Sequence, residues 1–212
     1  MTRRQGSRNA DYLETRLRLL QVLSRRLAEE DGTSASFREL AAFAGVSTTT
    51  LRHYFKDRKE LFASVFAMAR QLGAEHLLRV ASEPLQEDVA TSMRWVLQNI
   101  RFGLEIPQVR HAHTTALRVA LESPDLGPAY LQEMLEPLLR AVEVRLERHQ
   151  ARGELTGRDV RIIALQLVSP MFLALLHQHA LFGSKHRPLE IAALMDALIA
   201  PLEAPRTDPK GT

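Results

Sequence analysis

No cysteine occurs among the 212 residues, and that absence alone excludes disulfides, thiolate nucleophiles, zinc ribbons and iron–sulfur clusters. Alternating β-branched or aromatic runs bounded by turn residues are missing as well, so no strand is expected and the chain reads as all-α. There is no P-loop, GxGxxG or HExxH motif, which leaves a helical enzyme only scattered carboxylates, and no enzymatic activity is expected. No internal period of roughly 20 to 50 residues marks a solenoid. The basic N-terminus, MTRRQGSRNADYLETRL, is not followed by an apolar run, which argues against a signal peptide and for a cytoplasmic protein.

Charge is absent from one stretch. Ile162 to Ser184 contains no Asp, Glu, Lys or Arg over a length able to cross a bilayer, about 20 residues. Gln166, Ser169, Pro170, His177, Gln178 and His179 interrupt it. Such residues are costly in lipid and tolerable in a helix packed between partners, so a buried or interface helix is expected. Histidines occur in two close pairs, His111 with His113 and His177 with His179. A spacing of two on a helix points the rings about opposite ways, so neither a metal nor another cofactor is expected.

A hydrophobic content of 45% is ample for a core. The net charge of +3 is unevenly placed: residues 1–60 hold twelve Lys and Arg against eight Asp and Glu, which leaves the remainder slightly acidic. A basic end on an otherwise balanced chain fits either a polyanion partner, nucleic acid before membrane, or a solvated surface.

Periodicity is helical nearly throughout. Leu13, Leu17, Leu20, Leu23 and Leu27 recur at spacings of three and four and predict one stripe of a first helix. Short helices are expected at 37–43 and 48–55, then a longer one striped by Leu61, Val65, Met68 and Leu72. Further helices are expected at 85–104, 126–151, 157–183 and 188–202, with one or two short ones between 105 and 125. Residues 204–212 lack periodicity and read as a tail.

The most specific stretch is SFRELAAFAGVSTTTLRHYFKDRKEL, Ser36 to Leu61. Ser36 followed by Glu39 is a capping box that starts a helix near Phe37. Leu40 and Ala41 then fall on its inner face, and Gly45 arrives where the chain must leave the helix through a left-handed conformation. Ser47 is the next N-cap, with Leu51 and Phe55 pointing inward four residues apart. The outer face retains Thr48, Thr49, Thr50, Arg52, His53 and Tyr54, all hydrogen-bonding or cationic. Two short helices joined by a glycine turn, the second bearing such a face, form a helix-turn-helix. Asp57 and Glu60 make another capping box, yet Lys56, Arg58 and Lys59 crowd the same helix start. Cations there cost about 0.3–1 kcal/mol each, a placement that suits phosphate binding better than helix stability.

The run AGVSTTTLRHYFKDRKEL resembles the DNA-binding signature of the TetR family, strongly over residues 10–62 and only architecturally beyond. The resemblance implies an N-terminal three-helix DNA-binding domain within residues 1–57, a helical effector-binding and dimerisation domain at 58–203, and a disordered tail at 204–212. It implies phosphate contacts from Ser36, Tyr54 and Arg58, with Thr48, Thr49 and Arg52 in the groove. Arg38, Thr50, His53, Lys56 and Lys59 complete the expected DNA-facing set. Arg52 and Thr49 depart from the aromatic and small residues usual at those positions, and Arg58 from the usual lysine. Arg3, Arg4 and Arg8 form either an arm along the duplex or a basic tail.

In such proteins the later helices surround an effector cavity and pair two subunits. Met68, Met93, Trp95, Gln98, Phe102, His113, Leu117, Met134 and Phe172 are the candidate lining residues, against the alternative that each is plain core. Val168, Phe172, Leu175, Leu176, His179, Ile191, Met195, Leu198 and Leu202 are the candidate dimer residues, on the last two long helices. The implied whole is a repressor, homodimeric on a pseudo-palindromic operator and released by a small, largely apolar effector.

Overall fold

The computed structural model describes residues 5–29, 32–82, 86–155 and 157–203. Arg3, Arg4 and the 204–212 tail lie outside them. The described residues are helical, with no strand among them, and the all-α expectation holds. They pack as two compact units: residues up to Leu72 with His111–Leu135, and Gly73–Arg110 with the residues from Glu136 onward. Packing keeps both sides of the expected boundary at 57/58 in the first unit.

The first unit opens with α1 (Gln5–Leu27) and a 3-10 turn, Gly32–Ser34, then α2 (Phe37–Phe43), α3 (Thr48–Tyr54) and α4 (Arg58–Leu72). Its core joins Leu19, Leu20, Leu23 and Leu27 of α1 to Leu40, Ala41, Leu51, Phe55, Leu61, Phe62 and Phe66. The five-leucine stripe needs correction, because Leu13 and Leu17 are 64% and 50% exposed while Leu19 is buried. At about 100° per residue Leu17 lies off the arc that Leu19, Leu20, Leu23 and Leu27 share. Arg16 continues that arc one turn before Leu19 and Leu20, its guanidinium 4.8 Å from the Phe55 ring and donating to the Tyr54 carbonyl and to Ser64 Oγ.

Between 105 and 125 the structure has one helix of 16 residues, α7 (Pro107–Glu122), rather than short pieces. Proline at its first position has no amide to leave unsatisfied and a φ already set for a helix. Ala116, Val119 and Ala120 carry α7 into the first unit's core, followed by Leu126 and by Tyr130 of α8 (Gly127–Tyr130). The Tyr130 ring meets Phe66 edge-on with centroids 6.2 Å apart. A π turn, Leu131–Leu135, interrupts the helical run expected at 126–151.

The second unit contains α5 (Ala74–Ala81), α6 (Val89–Glu105), α9 (Glu136–Ala151), α10 (Val160–Leu175), a π turn at Leu176–Ala180, α11 (Gly183–His186) and α12 (Ile191–Ile199), ending in a 3-10 turn at Ala200–Leu202. Helix α5 was not expected from the sequence; it packs against α9 through Val80. Asp88 and Asp159 cap α6 and α10, accepting from Thr91 N and from Arg161 N and Ile162 N. Helix α6 is central, burying Val89, Met93, Val96, Leu97 and Ile100 against α9, α10 and α12. The uncharged segment forms α10 and its π turn. It is long and apolar enough to cross a membrane, yet Ile163, Ala164, Leu167, Val168, Met171, Ala174 and Leu175 are buried within the unit.

Candidate nucleic-acid interface

The start of α2 is fixed by a complete capping box: Glu39 N donates to Ser36 Oγ at 3.2 Å and Ser36 N donates to Glu39 Oε2 at 2.7 Å. The helix ends on Gly45, whose φ is +67°. Its N–H donates to Ala42 O, while Val46 N–H reaches Ala41 O. That 6→1 and 5→2 pair is a Schellman closure, which a left-handed residue makes possible. Ser47 then caps α3, accepting from Thr50 N at 2.9 Å, and its hydroxyl lies 2.8 Å from Thr50 Oγ1. Leu51 and Phe55 are fully buried, so the helix cannot rotate without losing its anchors.

Fixing those two residues fixes what faces outward. Thr49, Thr50, Arg52 and His53 are exposed, and Thr48 and Tyr54 are half-buried. Ser36, Arg38, Lys56 and Lys59 are exposed in the same unit. At the start of α4, Glu60 N donates to Asp57 Oδ1 at 2.9 Å, and the Glu60 carboxylate accepts from Lys56 N rather than from Asp57 N. The cations differ in state. Lys59 Nζ is 2.9 Å from Asp125 Oδ1, whereas Lys56 has no ion pair among the described residues. Arg58 is half-buried: its guanidinium lies 4.8 Å from the Phe62 ring and donates to the Thr33 carbonyl.

Two residues outside the expected set support this surface. Tyr12 of α1 stacks on Tyr54 with centroids 4.9 Å apart and meets His53 edge-on at 5.5 Å. Thr33, buried in the 3-10 turn, accepts from Arg58 at its carbonyl and from Arg118 of α7 at its hydroxyl. Both contacts join residues distant in sequence, so no local pattern signals them.

The nine candidate effector-lining residues are divided between the two units. Met68, Leu117 and Met134 pack against the first unit's core, and His113 belongs to the same unit. Burial lowers the His113 pKa. In the second unit Met93 is closed into the core, Phe172 is half-buried, and Trp95, Gln98 and Phe102 are exposed. Trp95 is partly covered by Arg145, whose guanidinium lies 4.9 Å from the ring. Arg145 is itself buried and bonded to Ser92 Oγ at 2.7 Å, Ser82 O at 3.1 Å and Glu87 Oε1 at 2.8 Å. The second unit has a cleft of ≈ 700 Å³ at the start of α6, lined by Glu87, Val89, Thr91, Arg94, Arg152 and Leu202 among others, and none of the nine candidates lines it.

The expected dimer residues divide. Val168, Leu175, Met195 and Leu202 are buried inside their own unit and so face its core. Their apolar periodicity recorded internal packing. Phe172, Leu176, Ile191 and Leu198 are half-buried and His179 is exposed. The exposed side of α10 carries Ile162 and Leu173 instead. A groove of ≈ 580 Å³ between α10 and α12 is lined by Leu165, Gln166, Ser169, Pro170, Ala197 and Leu198 among others. Among the described residues no three His, Asp or Glu side chains are placed to hold a metal.

Two capped helices crossing at a glycine turn, the second with buried anchors and an outward row of threonines and cations, form a helix-turn-helix, the motif that docks its second helix in the major groove of DNA. Residues 22–65 match the family model of bacterial regulatory proteins, tetR family. No curated protein sequence gives a significant match. The fold is shared with GusR of Salmonella enterica at 19% identity and TM-score 0.67, over 90% of this chain and 95% of that one. SmeT, the repressor of the Stenotrophomonas maltophilia multidrug efflux pump SmeDEF, is similar at 20% identity and TM-score 0.63, over 93% and 96%. FadR of Bacillus subtilis, solved with stearoyl-CoA, is similar at 17% identity and TM-score 0.62, over 88% and 96%.

Proposed function

We propose that the chain is a cytoplasmic transcriptional repressor that binds a pseudo-palindromic operator as a homodimer and is released by a small, largely apolar molecule. The observation that carries this reading is the outward face of α3, held in place by the buried Leu51 and Phe55. Thr48, Thr49 and Arg52 read base edges in the major groove, and Ser36, Arg38, Tyr54 and Lys56 hold the phosphates on either side. Residues 1–57 serve DNA binding and 58–203 serve effector binding and dimerisation. The chain acts by binding and carries out no chemical turnover.

A recognition helix of seven residues covers too few base pairs for useful affinity. Two copies about 34–36 Å apart reach successive major grooves, which is why a dimer is part of the proposal. Exposed Ile162 and Leu173 of α10 and the groove between α10 and α12 support pairing of two copies through this face. Repression and an apolar effector are supported by analogy with SmeT, a repressor, and FadR, which binds stearoyl-CoA. The effector acts by binding better to the dimer off DNA than on it.

Selection of bound duplexes from a random DNA pool tests the reading. An inverted repeat with half-sites one helical turn apart is expected, bound by a species with twice the chain mass. Recovery of no common sequence, or binding by monomer to a single half-site, overturns it.

A further inference from the structure

The DNA-facing start of α4 is held from within the first unit by a contact that the operator-binding reading does not use. Thr33 lies in the 3-10 turn Gly32–Ser34, three residues before the Ser36 cap of α2, and is 6% exposed. Both of its polar oxygens are taken by guanidinium groups. Its carbonyl accepts from Arg58, the first residue of α4, and its hydroxyl accepts from Arg118, in the middle of α7. Neither guanidinium is paired with a carboxylate among the described residues. Two cations converging on one neutral residue repel each other, so the arrangement persists only if each bond to Thr33 is well made.

Helix α7 can reach because Ala116, Val119 and Ala120 seat it in the same core as α1 to α4. Small residues bring its backbone close, and Arg118 then spans the remaining distance to the turn. The phosphate grip expected of Arg58 is weakened by this geometry. Its guanidinium is spent on the Thr33 carbonyl and the Phe62 ring, and that pose orients the chain entering α2 rather than a group outside the protein.

We infer that Arg118 is a positioning residue for DNA binding: by holding the Thr33 hydroxyl it fixes the turn that presents the capped start of α2 and seats Arg58 at the start of α4. The inference rests on the proposed DNA-binding function. It assigns α7 a part in the DNA-binding surface without any contact to the duplex.

The test is the affinity of the full-length protein for the duplex recovered from the random pool, measured by fluorescence anisotropy over a range of salt concentrations. Arg118→Ala and Thr33→Val, which keeps the carbonyl and removes the hydroxyl, should each weaken binding roughly five- to tenfold, the scale of an ordinary lost hydrogen bond. Thr33→Ser restores the acceptor and should bind like the parent. The double variant Thr33→Val with Arg118→Ala should be no worse than either single one, because both remove the same bond. The salt slope should stay as in the parent, whereas a lost phosphate contact flattens it by about 0.9. Far-ultraviolet circular dichroism identifies any variant that fails to fold, and the Thr33→Ser and Thr33→Val pair decides the matter if Arg118→Ala does so. Parent-like binding by Thr33→Val, additive losses in the double variant, or a flattened slope for Arg118→Ala overturns the inference while leaving the operator reading intact. Failure of the parent to bind any duplex removes both.

Discussion

Replacing Gly45 by alanine isolates the backbone term in the turn between α2 and α3. A Cβ built there meets nothing within 4 Å, so no steric clash contributes. What remains is the φ of +67°, which costs an L residue about 1–2 kcal/mol. Alanine also has the less flexible unfolded chain, which offsets about 0.4–1 kcal/mol. The net loss is therefore about 1 kcal/mol. For a chain of this size that lowers the unfolding midpoint by about 2–4 °C. Asparagine tolerates the left-handed region and should lose less, and β-branched valine should lose more although the space is equally open. Thermal denaturation of Gly45→Asn, Gly45→Ala and Gly45→Val should give that order, with DNA affinity near parental well below the midpoint. A loss above about 4 kcal/mol for alanine would mean that the Cβ does clash. Valine no worse than alanine would refute the assignment of the cost to φ.

Lys56→Ala should weaken binding to all duplexes and flatten the salt dependence by about one unit, and Lys59→Ala should do so less because Asp125 holds its ammonium at 2.9 Å; equal effects in a salt titration count against this distinction. Replacing Thr48 and Arg52 together should change the sequence recovered from a random pool while keeping the salt slope within about one unit, and an unchanged consensus rules out their place in the groove. Burial holds the imidazole of His149 below the ordinary histidine range, against the opposing pull of Glu154. Its folded pKa is below its unfolded one, so its neutral form stabilises fully above about pH 6.5 and that contribution is lost as pH falls below it. His149→Gln should flatten the acid limb of stability by up to about 1.4 kcal/mol per pH unit; melting midpoints from pH 8 to 5 that keep the parental slope contradict the shift. His113, His76 and His179 are lowered in the same direction and leave a residual slope.

The helix-turn-helix was legible because its determinants are local. Ser36, Glu39, Gly45 and Ser47 act on backbone groups at most five residues away, and each bond is made as the spacing implies. The side chains that complete the surface were not legible. Tyr12 lies 42 residues from Tyr54, and Arg118 reaches Thr33 across 85 residues, distances over which helical periodicity carries no information. Periodicity also misled where it marked burial without saying against what. Val168 and Met195 repeat as a dimer face would, yet they fill their own unit, and the free face of α10 is the less regular Ile162 and Leu173. Leu17 fails for the opposite reason, since a spacing of three from Leu20 is compatible with either edge of a buried arc. Short α5 escaped because eight residues between Gly73 and Ser82 offer barely two turns of pattern.

The extent of the first unit changes what counts as the helix-turn-helix head. Residues 1–57 contain the helix-turn-helix, but Leu51 and Phe55 are buried in a cluster that continues through Phe62 and Phe66 into Ala116, Val119, Leu126 and Tyr130. A helix-turn-helix of that size has little apolar area to offset its chain entropy, because small domains bury a smaller fraction of their surface. Here the deficit is met by recruiting a second stretch of chain, with alanines at 116 and 120 permitting close approach and Tyr130 closing over Phe66. The orientation of α3 thus depends on packing by residues more than 60 positions downstream. A substitution on the buried face of α7 is consequently a change to the unit that holds the helix-turn-helix, although sequence position alone would assign it to the later helices.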